Sequence, residues 1–252
     1  MMKRQRWLIA YVIVIFLAIS SPYWLWKIKP ETTLNVLIVN KTVPDDTYRE
    51  HEGLVWLLNQ QKYVKPNGER YKLNNDYIGF IPTTKKERPW PTSLEPYDVI
   101  YVADTYGVYE HDFTAEKKKE RETFKKVYGG LTEQEVNRLH DAMFEGNKTL
   151  IAEFNSFASP TDRAVRNKFY ALLNVEWTGW IGRYFPKLED DEVPVWVREN
   201  YEKQYNTRYT FTGPGYVFVD EYDRLVILNK KRNRKTRGSF CPDKNRRKRA
   251  SY

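Results

Sequence analysis

Cysteine is almost missing from this chain of 252 residues: Cys241, near the C-terminus, is the single one. One thiol excludes a disulfide framework and any cysteine-based metal cluster within one chain. Histidine is scarce as well, with three residues and no His-Glu-x-x-His pair, so a zincin helix is excluded. His51, His111 and His140 lie too far apart in sequence to suggest a zinc site. Gly-x-Ser-x-Gly does not occur either, which removes the nucleophile elbow of the α/β-hydrolases. There is no internal repeat, and one long uncharged apolar run. Hydrophobic residues make up 41% and charged residues 30%, which excludes a disordered, collagenous or multi-span chain and leaves material for a sizeable core.

An excess of base is also missing from most of the molecule. The formal net charge is +9, but residues 230–252 hold eleven Lys or Arg against one acid, Asp243. The remaining residues carry 31 basic and 32 acidic side chains. Attraction to a polyanion would therefore come from the tail alone, and no nucleic-acid partner is expected for the body of the protein.

The apolar run is residues 7–26, WLIAYVIVIFLAISSPYWLW. A helix of this length spans about 30 Å, the thickness of bilayer hydrocarbon. Lys3, Arg4 and Arg6 precede it, within a basic N-terminus of residues 1–6. Positive flanks stay inside, so the sequence predicts a single-pass cell-membrane protein with its N-terminus cytoplasmic and its main domain outside. Tyr23, Trp24 and Trp26 suit the outer interfacial belt, with Lys27 and Lys29 snorkelling beside them. A cleaved signal peptide is the competing reading. Trp7–Ile19 fits its apolar region, with Ala18 and Ser20 at the positions a signal peptidase reads. Pro22 and the renewed apolar residues from Tyr23 favour a retained anchor. Residues 27–33 read as a linker.

Residues 34–229 read as one α/β domain. Leu34–Val39 (LNVLIV) and Tyr97–Ala103 (YDVIYVA) are nearly continuous apolar runs, the signature of strands buried on both faces. Leu150–Phe154 (LIAEF) is a third, and Tyr77–Ile81 a weaker one. Helices are predicted over Glu50–Gln61, after Thr132 with Glu135 at capping-box spacing, and from Ser159 as N-cap with Pro160 in the first turn. His140 is expected to pack on the apolar side of the second of these. Pro66-Asn67-Gly68 marks a turn, and the prolines of residues 82–96 mark loop. Asp112–Tyr128 is charge-dense and reads as a solvated helix or a lid. Beyond residue 173, short strands are expected at Val193–Val197, Tyr209–Phe211, Gly215–Val219 and Leu225–Leu228.

Strand–helix alternation up to residue 173 argues for an α/β fold with a mostly parallel sheet flanked by helices. The segments YDVIYVAD and GGLTEQEVNRLHDAMFEGNKTLIAEF, in that order, resemble the class I glutamine amidotransferase-like, flavodoxin-like superfamily over residues 34–173, with 228 as the outer limit. In that superfamily a strand ends at a catalytic loop and a capped helix follows. Its active members place a cysteine in the sharp turn after a strand. The corresponding turns here, Ala103-Asp104-Thr105-Tyr106-Gly107 and Glu153-Phe154-Asn155-Ser156, contain none. The resemblance therefore implies architecture and not amidotransferase activity.

Ligands of open α/β sheets bind beyond the carboxyl ends of the strands. That rule nominates Asn40 and Lys41, Asp104–Gly107 and Glu153–Ser156. Asp104 and Glu153 are the catalytic candidates, as paired carboxylates for acid–base chemistry or a divalent cation, or else as solvated loop acids. Tyr106, Tyr109, Glu110, His111, Asn155 and Ser156 are the ligand-binding candidates, in loops suited to recognition or packed on their own aromatics. A Ser156–His140 dyad lacks the elbow pattern. Trp177, Trp180 and Tyr184 offer either a sugar-stacking patch or core. No cofactor or metal site is expected.

Residues 230–252 lack apolar periodicity. They read as a disordered basic tail, a nuclear-type signal at odds with export, or the product of a shifted reading frame. With Lys and Arg on adenine-rich codons, a one-base shift from Arg234 gives a balanced, strand-like sequence. The functional expectation is a membrane-anchored extracytoplasmic domain that binds an envelope protein or polysaccharide without catalysis. The alternatives are an envelope hydrolase or metal-assisted enzyme using the strand-end carboxylates, and a structural component of an envelope complex using the Trp177–Phe185 patch.

Overall fold

The computed structural model describes residues 2–113 and 125–229. Most of the charge-dense segment and the whole basic tail, with the expectations attached to them, lie outside the described residues. The chain divides into two compact units, residues 1–175 and 176–252.

The first unit begins with α1 (Met2–Ile28). Its stretch Ile9–Ile28 is long and apolar enough to cross a membrane, and none of it is buried against the protein. An anchor and a signal sequence both have this form. Pro22 lies inside the helix and cannot donate to Ala18 O; the Ser21 hydroxyl donates there instead, at 2.8 Å. The expected linker is shorter than predicted. The helix runs through Ile28, and β1 (Thr32–Thr33) follows almost at once.

Next come β2 (Val36–Asn40), α2 (Arg49–Gln60), β3 (Tyr63–Val64), β4 (Ile78–Ile81), β5 (Lys86–Arg88) and β6 (Val99–Asp104). Then follow β7 (Val108–Tyr109), β8 (Lys126–Tyr128), α3 (Glu133–Glu145), β9 (Thr149–Ala152) and α4 (Arg163–Leu172). The main sheet has the order β5-β4-β2-β6-β9. Its β2–β4, β2–β6 and β6–β9 pairs are parallel, and β5 joins β4 antiparallel. The fold is mixed α/β.

All five residues of β2 are buried, as a run of Val, Leu and Ile without alternation requires. Side chains alternate across the sheet, so Leu37 and Val39 face α3 and α4 through Val136, Leu139 and Phe169. Val36 and Ile38 face the other way, toward Val55 and Leu58 of α2. α3 starts as predicted: Glu135 N donates to Thr132 Oγ1 at 3.2 Å, and Thr132 N to Glu135 Oε2 at 2.7 Å. His140 differs from its expected packing role. Its side chain is about half exposed, against the Phe144 ring at 4.4 Å.

α4 starts later than predicted, at Arg163, with Asp162 accepting from Ala164 N as its N-cap. The preceding residues are engaged elsewhere. The Ser159–Pro160 peptide is cis, and buried Thr161 accepts from Leu131 N at 2.9 Å.

The second unit contains β10 (Trp180–Phe185), α5 (Val195–Tyr205), β11 (Gly215–Asp220) and β12 (Leu225–Asn229). The three strands form an antiparallel sheet in that order. Its core gathers Phe185, Leu188, Val197, Tyr201, Phe211 and Leu225. Two expected strands are not found. Val193–Val197 leads into α5, because Pro194 opens the helix and Val197 and Tyr201 then bury one face four residues apart. Tyr209–Phe211 is not assigned to a strand among the described residues; its two rings pack edge-on against Tyr201.

Candidate functional site

The carboxyl ends of β2, β6 and β9 converge, as parallel pairing dictates. Lys41 N donates to Asp104 O at 2.8 Å, and Glu153 N donates to Val102 O at 2.9 Å. Asp104 is 2% exposed and stands at the centre. Its Oδ1 accepts from Thr42 Oγ1 and from Tyr106 N, each at 2.6 Å. Its Oδ2 accepts from Asn155 Nδ2 at 2.6 Å. Thr42 Oγ1 in turn accepts from Gly107 N at 2.7 Å. One carboxylate thus joins the loops after all three strands.

Glu153 does not join Asp104. It accepts a hydrogen bond from the Tyr101 hydroxyl, and burial, with Glu50 nearby, raises its carboxyl above the ordinary range. The two carboxylates share no hydrogen-bonding partner among the described residues: Asp104 is engaged by Thr42, Tyr106 and Asn155, and Glu153 by Tyr101. Nor is any group of three or more His, Cys, Asp or Glu placed to hold a metal ion among the described residues. Ser156 is fully buried, with its hydroxyl directed to Val102 O at 3.4 Å, and Asn155 is exposed apart from its amide on Asp104.

The aromatic candidates do come together. Tyr106 and Tyr109 rings lie 5.0 Å apart, and Tyr109 and His111 lie 6.0 Å apart, forming a row beside the Asp104 loop. Tyr106 is 43% exposed. Tyr109 is held by Asp112, which accepts its backbone N–H at 2.8 Å, and burial lifts its phenol to about 12. Glu110 begins a short 3-10 turn, and its N–H donates to Lys125 O at 3.1 Å.

Two buried polar clusters underlie this rim. Lys41 is 3% exposed; its Nζ lies 2.6 and 2.8 Å from the Glu135 carboxylate and 2.8 Å from Gly130 O. It also sits 5.4 Å from the centre of the Tyr128 ring, whose phenol burial pushes strongly upward. On the opposite face of the sheet, His51 Nδ1 accepts from Asn40 Nδ2 at 2.7 Å while Nε2 donates to Leu73 O at 2.9 Å. That pattern fixes a neutral ring, and burial lowers its pKa below 6.5. Sequence reasoning named Lys41 and Asn40 for their place at a strand end but missed both partners. The Glu135 partner was hidden behind its role as a cap. A lysine directly after a buried strand, with no adjacent acid, was the available signal.

Fold and rim define a mixed α/β protein whose parallel strand ends carry an aromatic, cross-linked polar edge. No protein-family model matches the chain, and neither a curated protein nor a solved structure does.

Proposed function

We propose that this chain is a membrane-anchored domain that binds an envelope protein or polysaccharide at the strand-end rim and performs no chemistry there. α1 is retained as the anchor, with the N-terminus cytoplasmic and both units outside. The reading includes a flavodoxin-like arrangement akin to the amidotransferase-like superfamily. Parallel pairing through β4, β2, β6 and β9 supports that arrangement, and the turns after β6 and β9, which hold no cysteine, support the lack of amidotransferase chemistry.

The engagement of Asp104 by three donors carries the proposal. Both of its oxygens accept from neutral donors of the protein itself, so it serves to hold Tyr106 and Asn155 in place. Lys41 is likewise spent on Glu135 and Gly130 O. Beside the exposed Glu110, Glu153 and Asn155, the rim presents a row of rings led by exposed Tyr106, suited to the apolar face of a sugar or to an extended peptide.

The test uses the full chain in nanodiscs with soluble envelope glycan and peptide fragments. Tyr106→Ala is expected to weaken binding at least about tenfold, while Glu153→Gln leaves it unchanged. Accumulation of a cleaved product that stops in Glu153→Gln would establish the hydrolase reading instead. A structural role for the second unit has its own support, since Tyr184 and Tyr216 pair across β10 and β11 and are each about half exposed.

A further inference from the structure

Helix α2 carries two large apolar side chains on the face turned away from the core. Trp56 is 64% exposed and Leu57 47%, while Val55 and Leu58 supply the buried side. Isolated exposed apolar residues need no explanation. These two lie beside the end of the apolar helix, however. The Trp26 indole donates to Gln60 O at 2.5 Å, and Lys29 Nζ donates to Gln61 Oε1 at 2.9 Å. Trp56 and Leu57 are each one helical turn, about 6 Å, before those residues. Lys62 completes the joint. Its Nζ donates to Lys27 O at 2.8 Å and Lys29 O at 2.7 Å, and it lies 4.9 Å from the centre of the Trp26 ring. β1 then pairs in parallel with β3, directly after Lys62. The helix that would cross the bilayer is therefore bonded to the C-terminal end of α2 and not hung from a free tether.

We infer that the C-terminal half of α2 rests on the bilayer surface, with Trp56 and Leu57 at headgroup level beside Trp26. This rests on the reading of α1 as a retained anchor. An anchor ending at Ile28 puts Trp26 in the interfacial layer, where tryptophan is favoured, and whatever is hydrogen-bonded to Trp26 lies at the same depth. The exposed face of α2 is graded to match. Arg49 and Glu52 occupy its far end, while Trp56 and Leu57 occupy the end near Trp26. The consequence is a domain held at a fixed attitude to the membrane, so its binding rim presents one orientation to the envelope.

The experiment places an environment-sensitive fluorophore on single cysteines in the full chain, in a Cys241→Ser background, in nanodiscs of phosphatidylcholine and phosphatidylglycerol. The labelled positions are Trp56→Cys, Leu57→Cys as a second site on the same patch, Asp46→Cys beyond the opposite end of α2, and Val14→Cys within α1. Lipids carrying a nitroxide at the headgroup are expected to quench positions 56 and 57 at least about twofold more than position 46. Lipids labelled deep in the acyl chain should quench position 14. Quenching at 14 with none at 56 and 57 would overturn the inference and leave the anchor standing. Equal quenching at 46 and 56 would also overturn it, because the domain would then be touching lipid without a preferred face. No quenching at 14 would remove the anchor itself.

Discussion

At the scale of single residues, the rim is held by buried charges that are already satisfied, and this gives distinct expectations for mutants. Asp104→Ala leaves the Thr42 hydroxyl, the Tyr106 N–H and the Asn155 amide without their acceptor, and should cost about 2–4 kcal/mol in urea denaturation. Asp104→Asn keeps one acceptor oxygen and should cost less. A catalytic aspartate held for chemistry would show the reverse pattern, with stability within about 0.5 kcal/mol and an activity lost. Lys41→Met strands the Glu135 carboxylate and should cost about 3–5 kcal/mol. Adding Glu135→Gln should recover part of that, because glutamine still closes the capping box at Thr132. His51 sets a pH dependence. Its pKa is lowered from 6.5 by burial, so the unfolded chain takes up a proton that the folded one refuses. Stability is then full above pH 6.5 and falls as pH drops below it. His51→Gln should flatten that acid-side decline in denaturation midpoints; an unchanged slope would assign it to other groups. Of these residues, the sequence pointed to Asp104 by strand-end position. It could not reveal that three donors would already occupy the carboxylate, since two of them, Thr42 and Asn155, come from loops 62 and 51 residues away.

At the scale of elements, legibility followed locality. β2, β6 and β9 announced themselves through unbroken apolar runs, and α3 through a capping box that the structure contains. The misread elements lie where neighbours decide. Val193–Val197 alternates like a strand, but Pro194 and the register of Tyr201 turn it into a helix. α4 yields its first turn because Thr161 is needed by Leu131 N. The crossing of the β7 and β8 loops depends on two glycines. Gly107 has φ +97°, and a Cβ there would lie 2.1 Å from Tyr128 O; at Gly129, with φ +131°, it would lie 2.3 Å from Gly107 Cα. Gly107→Ala should therefore destabilise by more than about 2 kcal/mol. Gly53 is the contrast. It sits within α2 with nothing within 4 Å of an added Cβ, and Gly53→Ala should stabilise by up to about 1 kcal/mol.

At the scale of the whole molecule, one helix long and apolar enough to span a membrane is bonded to a mixed α/β unit, and a second unit follows with its own antiparallel sheet and core. The helix was plain in the sequence because twenty residues without charge have few other uses. The bonded joint to α2 was not, since Gln60 and Lys62 carry no pattern that marks them as partners of Trp26 and Lys29. The change of architecture near residue 175 was visible as a change of pattern, but its division into separate units was not. The measurement that tests the central claim most directly is photocrosslinking from position 106 of the full chain in intact cells, with position 46 as the control. A rim built for binding should give a discrete adduct with an envelope component from position 106 alone, and Asp104→Ala should abolish it. Equal labelling from both positions, or none from either, would contradict a binding role for this rim.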